Sequence, residues 1–327
     1  MEKMIEDNVV WSMFSLAPHT FTIQAIPPFR LDLTTWILRR RPNNQIDRWD
    51  GQAYHRVLML DDKPFAIKVT QPGSPETALL EVSLYGVKAS AAIEARVTAD
   101  LERLLGIHSN LEAFYRFAEG HPRLESLVAP FRGAKPPRFL SLFETLNNAI
   151  ACQQLSLTVG IILLNRLSQA YGPLYRNDAS TLTGTCNAFP RPQDMAGADL
   201  EELRSMGFSR KKGQYLCSLS GSMLEGQVDL DEIATLNDTD AIEHLCRIHG
   251  VGRWTAEYFL LRGLGRTHIF PGDDVGARNN LQHWLDLPQR LDYQGVKRAL
   301  SGCEDYGGLI YFHLLLKSLT EKGIAVV

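Results

Sequence analysis

The chain has 327 residues, 45% of them hydrophobic and 22% charged, with a net charge of −3 and a pI near 6.3. This is the composition of a soluble globular protein of about two domains. It excludes a uniformly basic nucleic-acid binder, whose pI commonly exceeds ~9, so any nucleic-acid contact must rest on locally placed charge and backbone donors. The acidic N-terminus, MEKMIEDNVVWSM, lacks the apolar stretch of a signal peptide, and no run of about 18 apolar residues would span a membrane. FTIQAI (Phe21–Ile26) alternates like a strand and stops at Pro27–Pro28. Leu33–Arg40 is predicted to begin a helix capped by Asp32 or Thr34. Gln52–Leu60, Phe65–Gln71 and Ala78–Gly86 form a predicted antiparallel meander, the first pair joined by a turn at Asp61–Pro64, and a helix is expected from Ser90 to Leu105.

The basic segment Phe131–Phe139, rich in Pro and Gly, is the expected boundary between a mixed α and β domain (1–130) and an all-helical one (131–327), an α+β chain as a whole. Beyond it, Ser141–Gly172 carries apolar residues at helical spacing and is predicted as one long helical stretch. Further helices are parted by breakers such as Met206-Gly207-Phe208 and His249-Gly250-Val251-Gly252. Cys152, Cys186, Cys217, Cys246 and Cys303 are scattered, which excludes zinc-finger pairs and iron–sulfur spacing and reads as reduced thiols of an intracellular protein.

The segment Glu243–Trp284 carries the chemistry. An amphipathic helix runs into His249-Gly250-Val251-Gly252, and a second helix starts near Arg253. Glycines permit a tight turn and a close backbone approach. The first N–H groups of the second helix lack internal partners and sit at the positive end of its dipole, a ready phosphate site. A bare helix-turn-helix corner without a ligand is the plain alternative. Asp274, before VGARNNL, suits a helix N-cap. Trp254 and Tyr258 are four apart and share a helix face, yet the helix is apolar nearly all round, as in a buried core.

These residues together resemble the helix-hairpin-helix DNA glycosylases, and most closely the AlkA type, the 3-methyladenine DNA glycosylase II group. Gly252-Arg253-Trp254-Thr255-Ala256, Tyr258-Phe259, Leu261-Arg262-Gly263 and Pro271-Gly272-Asp273-Asp274 carry the resemblance, with support from Phe189–Leu216, Phe143-Glu144, Ala149-Ile150 and Gln153. His249 replaces the family's usual Pro. The resemblance implies that Asp274 is the catalytic carboxylate, stabilising the sugar cation and orienting water; Asp273 beside it is read as a cap or a support for that carboxylate. It also implies that Trp254 stands where lyases of the superfamily hold a nucleophilic Lys, so the chain is expected to be monofunctional. Trp254 and Tyr258 would stack on an extruded cationic base. Leu315 aligns with a second pocket Trp of the family, and Trp36 is a candidate to compensate for the missing ring. Gln154, with Leu155 beside it, aligns with the wedge that fills the gap left by a flipped base.

Gly250, Val251, Gly252 and Arg253 are the expected main DNA contacts. Arg210, Lys211 and Lys212 flank a second, cruder turn, and Arg278 adds to Arg253. The resemblance further implies a monovalent cation on the main-chain carbonyls of Cys246, Ile248 and Val251, and no organic cofactor. The expected partner is duplex DNA with damaged bases, bound by a monomer in the cytoplasm with the bacterial nucleoid, and the expected substrates are alkylated purines such as 3-methyladenine and 7-methylguanine. Two rivals stay open: a glycosylase for oxidised or deaminated purines, and a non-catalytic hairpin protein that senses damage.

Overall fold

The computed structural model describes residues 18–176 and 186–325; the acidic N-terminal stretch lies outside them. The first part of the chain comprises β1 (His19–Gln24), α1 (Leu31–Arg39), β2 (Arg48–Trp49), β3 (Ala53–Leu60), β4 (Lys63–Thr70), β5 (Leu79–Tyr85) and α2 (Ala91–Leu105). The strands form one antiparallel five-stranded sheet in the order β1-β5-β4-β3-β2. Register follows the side-chain alternation: Phe65, Ile67 and Val69 of β4 face a core that also holds Val97, Leu101 and Leu105 of α2. Leu60 pairs with Lys63, so the β3–β4 turn needs only Asp61 and Asp62, with Asp61 in the left-handed region at φ 52°.

Helix α1 begins earlier than expected, and neither Asp32 nor Thr34 caps it. The N-cap is Arg30, without a side-chain cap. Asp32 accepts two hydrogen bonds from the Arg30 guanidinium, at 2.8 and 2.6 Å. Thr34 lies within the helix, where its hydroxyl oxygen accepts from the Lys135 amide at 3.0 Å.

The rest of the chain comprises α3 (Glu112–Glu119), α4 (Pro122–Val128), α5 (Leu142–Cys152), α6 (Leu157–Tyr171), β6 (Leu174–Tyr175), β7 (Cys186–Asn187), α7 (Leu200–Ser205), α8 (Arg210–Leu224), α9 (Leu230–Thr235), α10 (Asp238–Arg247), α11 (Arg253–Arg262), α12 (Val275–Leu285), α13 (Tyr293–Ala299) and α14 (Gly307–Glu321). Two expectations change here. The stretch 141–172 is two helices, because Gln154 adopts φ 53° and Ser156 starts a new helix by accepting from the Val159 amide. The part expected to be all helical also contains the β6–β7 ladder, whose Tyr175 and Cys186 pack with Val57 and Ala66 on the second face of the sheet.

Several cores interlock. One lies among α5, α6, α8, α10 and α11. The sheet core reaches Ala149 of α5 and Tyr258 of α11. Helix α14 packs on α1 through Phe312 and Leu316 against Leu33 and Ile37. The segment Phe131–Phe139 is largely enclosed: Lys135 is 1% exposed, and its ammonium donates to the Ser109 carbonyl at 2.7 Å. Arg56 of β3 bridges Asp47 and Glu144 at 2.6 Å each, pinning the sheet to α5. Removing one member of such a buried network typically costs ~3–5 kcal/mol, because a charge is left unpaired.

Candidate active site

The turn between α10 and α11 is set by Gly250. Its φ is 89°, and a Cβ there would lie 2.3 Å from the Tyr215 ring of α8. That ring meets His249 edge-on at 4.6 Å. Gly252 behaves differently. It is the N-cap of α11 at φ −106° and ψ 179°, extended backbone that any residue adopts, and nothing lies within 4 Å of a Cβ built there. The expectation that the turn itself needs both glycines therefore holds only for Gly250; Gly252 keeps the approach open. No side chain caps α11, which leaves its first amides facing outward at the positive end of the dipole. Val251 is buried and its amide donates to the Ile248 carbonyl at 3.0 Å. The Cys246 and Ile248 carbonyls lie at the negative end of α10, and the Ile248 carbonyl accepts from the Val251 amide. Arg253 is exposed. Its guanidinium lies 4.6 Å over the Tyr293 ring and 3.9 Å from Asp273.

Asp274 is the N-cap of α12, and its Oδ1 accepts from the Ala277 amide at 2.8 Å. Its Oδ2 accepts from the Trp254 indole N–H at 3.2 Å. The cap and the site are thus the same carboxylate: one oxygen starts a helix and the other faces α11. The preceding loop is held from beneath by Glu257. This buried carboxylate accepts from the Gly272 amide at 3.0 Å and from the Tyr293 hydroxyl at 2.6 Å. Burial raises the Glu257 pKa.

The Trp254 and Tyr258 rings lie 5.6 Å apart, tilted by 33°. Trp254 is half-buried, whereas Tyr258 is buried. The Tyr258 hydroxyl accepts from Arg40 at 2.9 Å, and the same guanidinium donates to Asn148 Oδ1 at 2.6 Å. Arg40 is the left-handed C-cap of α1 and is 5% exposed; neither of these two partners is a carboxylate. Tyr311 of α14 completes the cluster. Burial, and next the charge of Asp274, push its phenol well above the ordinary range. Arg40, Asn148 and Tyr311 were missed in the sequence. Leu315, one turn after Tyr311, packs, as Tyr311 does, against the core that Trp36 and Leu316 form between α1 and α14. Trp36 is itself core, with the Arg39 guanidinium 4.8 Å over its ring.

The link between α5 and α6 projects beside the hairpin. Gln154 is exposed and Leu155 is 43% exposed. The Gln153 side-chain amide donates to the Gly250 carbonyl at 2.9 Å and to the Thr255 hydroxyl at 3.0 Å. The second turn, Met206-Gly207-Phe208, leads to Ser209, whose hydroxyl caps α8. Arg210 and Lys211 are exposed. Lys212 was expected to face DNA and does not. It is 8% exposed, and its ammonium donates to the Ala151 and Gln153 carbonyls at 2.8 and 2.6 Å. A helix turns about 100° per residue, so adjacent side chains of one charged run point to different sides.

Residues 148–304 match the family model described as the HhH-GPD superfamily base excision DNA repair protein. The chain is 30% identical over 172 residues to DNA-3-methyladenine glycosylase 1 of Schizosaccharomyces pombe, covering 52% of this chain and 70% of that protein. It is 29% identical over 259 residues to DNA-3-methyladenine glycosylase 2 of Escherichia coli, covering 78% and 84%. Against YfjP of Bacillus subtilis, named with the same glycosylases, identity is 30% and coverage is 46% of this chain but only 50% of the relative. Among solved structures, the 3-methyladenine DNA-glycosylase of Archaeoglobus fulgidus superposes with a TM-score of 0.78 at 22% identity, covering 90% of this chain and 97% of that one.

Proposed function

The chain belongs to the HhH-GPD superfamily of base excision DNA repair proteins, and from that premise we propose that it is a monofunctional DNA glycosylase acting on alkylated purines. The observation that carries this reading is the placement of Asp274 Oδ2, which accepts from the Trp254 indole N–H, one helical turn from Tyr258. N-glycosidic cleavage develops positive charge on the deoxyribose. A fixed carboxylate stabilises that cation and orients the attacking water. Trp254 offers no amine for a Schiff base, so water is the nucleophile and an abasic site the product. The amides of Gly252 and Arg253 at the start of α11, with Gly250 keeping the turn tight, hold a phosphate, assisted by Arg210 and Lys211, while Gln154 and Leu155 fill the gap in the stack; Val251 spends its amide on the Ile248 carbonyl. A monovalent cation on the carbonyls of Cys246, Ile248 and Val251 would add positive charge beside that phosphate.

We read the protein as a monomer on duplex DNA in the cytoplasm, with the sheet-bearing part over 1–130 and the hairpin part over 131–327. No helix among the described residues is long and apolar enough to cross a membrane. The test is a panel of duplexes that each carry one lesion, scored for free base and for strand breaks. Release of 3-methyladenine and 7-methylguanine is expected, with breaks only after mild alkali and no borohydride-trapped adduct. A trapped adduct would overturn the monofunctional reading, and no released base from any duplex would leave a damage sensor.

One observation favours a second substrate class. The buried Arg40 guanidinium touches the Tyr258 hydroxyl and offers only donors and positive charge. It opposes a cationic base and suits a neutral one with acceptors on its edge, as in deaminated purines. Faster release of such bases than of 7-methylguanine would select this reading.

A further inference from the structure

Two side chains tie the exposed link between α5 and α6 to different parts of the molecule. Lys212, one turn into α8, spends its ammonium on the Ala151 and Gln153 carbonyls. Those carbonyls lie at the end of α5, where unpaired oxygens and the negative end of the dipole accept a cation without a carboxylate. From the same residue, the Gln153 side chain crosses to the Gly250 carbonyl and the Thr255 hydroxyl at the start of α11. The next residue, Gln154, is held at φ 53° without being glycine. Such a conformation persists only where the surroundings over-determine it, and it clusters at working sites. Gln154 itself and Leu155 after it are exposed.

We infer that Lys212 and Gln153 are positioning residues that lock the 153–155 link to both helix-turn-helix corners, so that a duplex gripped at those corners receives Gln154 and Leu155 in its stack. This rests on the reading above that the link enters DNA. Neither Lys212 nor Gln153 touches the reacting atoms. A tethered link arrives in register with the gripped phosphates, whereas a free one must search, and a misplacement of about 1 Å can cost ~10²-fold.

The experiment uses the full chain and a duplex with 2-aminopurine beside an alkylated purine. It reads unstacking by fluorescence, single-turnover base release, and the salt dependence of binding to an abasic-analogue duplex. Lys212→Met should slow unstacking and base release by about tenfold or more while the salt slope stays that of the parent. Gln153→Leu, which removes neutral hydrogen bonds where Lys212→Met removes charge-assisted ones, should slow both steps less, and melting curves verify that each variant is folded. A salt slope about one unit shallower in Lys212→Met would make Lys212 a phosphate contact and overturn the inference. Normal unstacking in both variants, alongside a slowed Gln154→Ala/Leu155→Ala double variant, would overturn this inference alone. Normal unstacking in the double variant as well would overturn the wedge reading with it.

Discussion

The corners Ile248–Gly252 and Met206–Ser209 share a plan: a helix ends, a glycine takes a positive φ (89° at Gly250, 103° at Gly207), and a new helix begins. They differ in how that new helix starts. Helix α11 starts at a glycine with no side-chain cap, so its amides stay open to an anion. Helix α8 starts at Ser209, whose hydroxyl accepts from the Lys212 amide, and it presents charge through Arg210 and Lys211 instead. In the function proposed above, one corner would bind by geometry and the other by side-chain charge, which would let a chain of net charge −3 hold a polyanion.

The sharpest way to break this contrast is at the glycines. Gly250→Val should destabilise the protein by about 2–5 kcal/mol, because it adds left-handed strain to a clash with Tyr215; urea unfolding reads this directly. Gly252→Val should fold with stability within about 0.5 kcal/mol of the parent, since its backbone is extended and its surroundings are open. Its affinity for an abasic-analogue duplex, by fluorescence anisotropy, should still fall about tenfold or more, a loss of ~1.4 kcal/mol. If Gly252→Val binds normally, the open amides are not the grip.

Smaller effects belong to the second corner. Lys211→Ala should weaken binding to all sequences equally and make the salt slope shallower by about one. The parent slope should be about −2.7 to −4.5, as expected for about three to five phosphate contacts; a slope of about −8 would point to a basic face elsewhere. Ser209→Ala should cost ~1 kcal/mol of stability through the lost cap and leave anisotropy titrations nearly unchanged, which separates capping from binding.

The primary corner was legible in the sequence because its signals are local: paired glycines, an aromatic pair at helical spacing and an acidic cap about twenty residues on. The residues that the sequence did not reveal are joined over long range. Arg40 reaches Tyr258 from the C-cap of α1, a contact across the whole chain that no spacing marks. Lys212 sits in a charged run whose inward member cannot be told from composition. The break at Gln154 lacks Gly or Pro, and only Ser156, as the next N-cap, announces it. Across that break α5 and α6 pass closely at Gly160, where a Cβ would lie 2.5 Å from the Cys152 sulfur. In β1, β3, β4 and β5 the alternation was sufficient, and the observed bounds differ from those expected by one or two residues; the two-residue strands β2, β6 and β7 are too short to alternate and were not expected.

The central claim is that the Asp274 oxygen facing Trp254 performs the chemistry. Asn caps helices as well as Asp does, so Asp274→Asn preserves the bond to the Ala277 amide while removing the charge and the acceptor that meets the Trp254 indole N–H. Single-turnover release of alkylated base by this variant, measured beside its affinity for the same duplex, is the direct test. Release should fall by ~10²–10³-fold, with affinity within about tenfold of the parent. Release at more than about a tenth of the parent rate would mean that Asp274 is a helix cap and the catalytic carboxylate lies elsewhere.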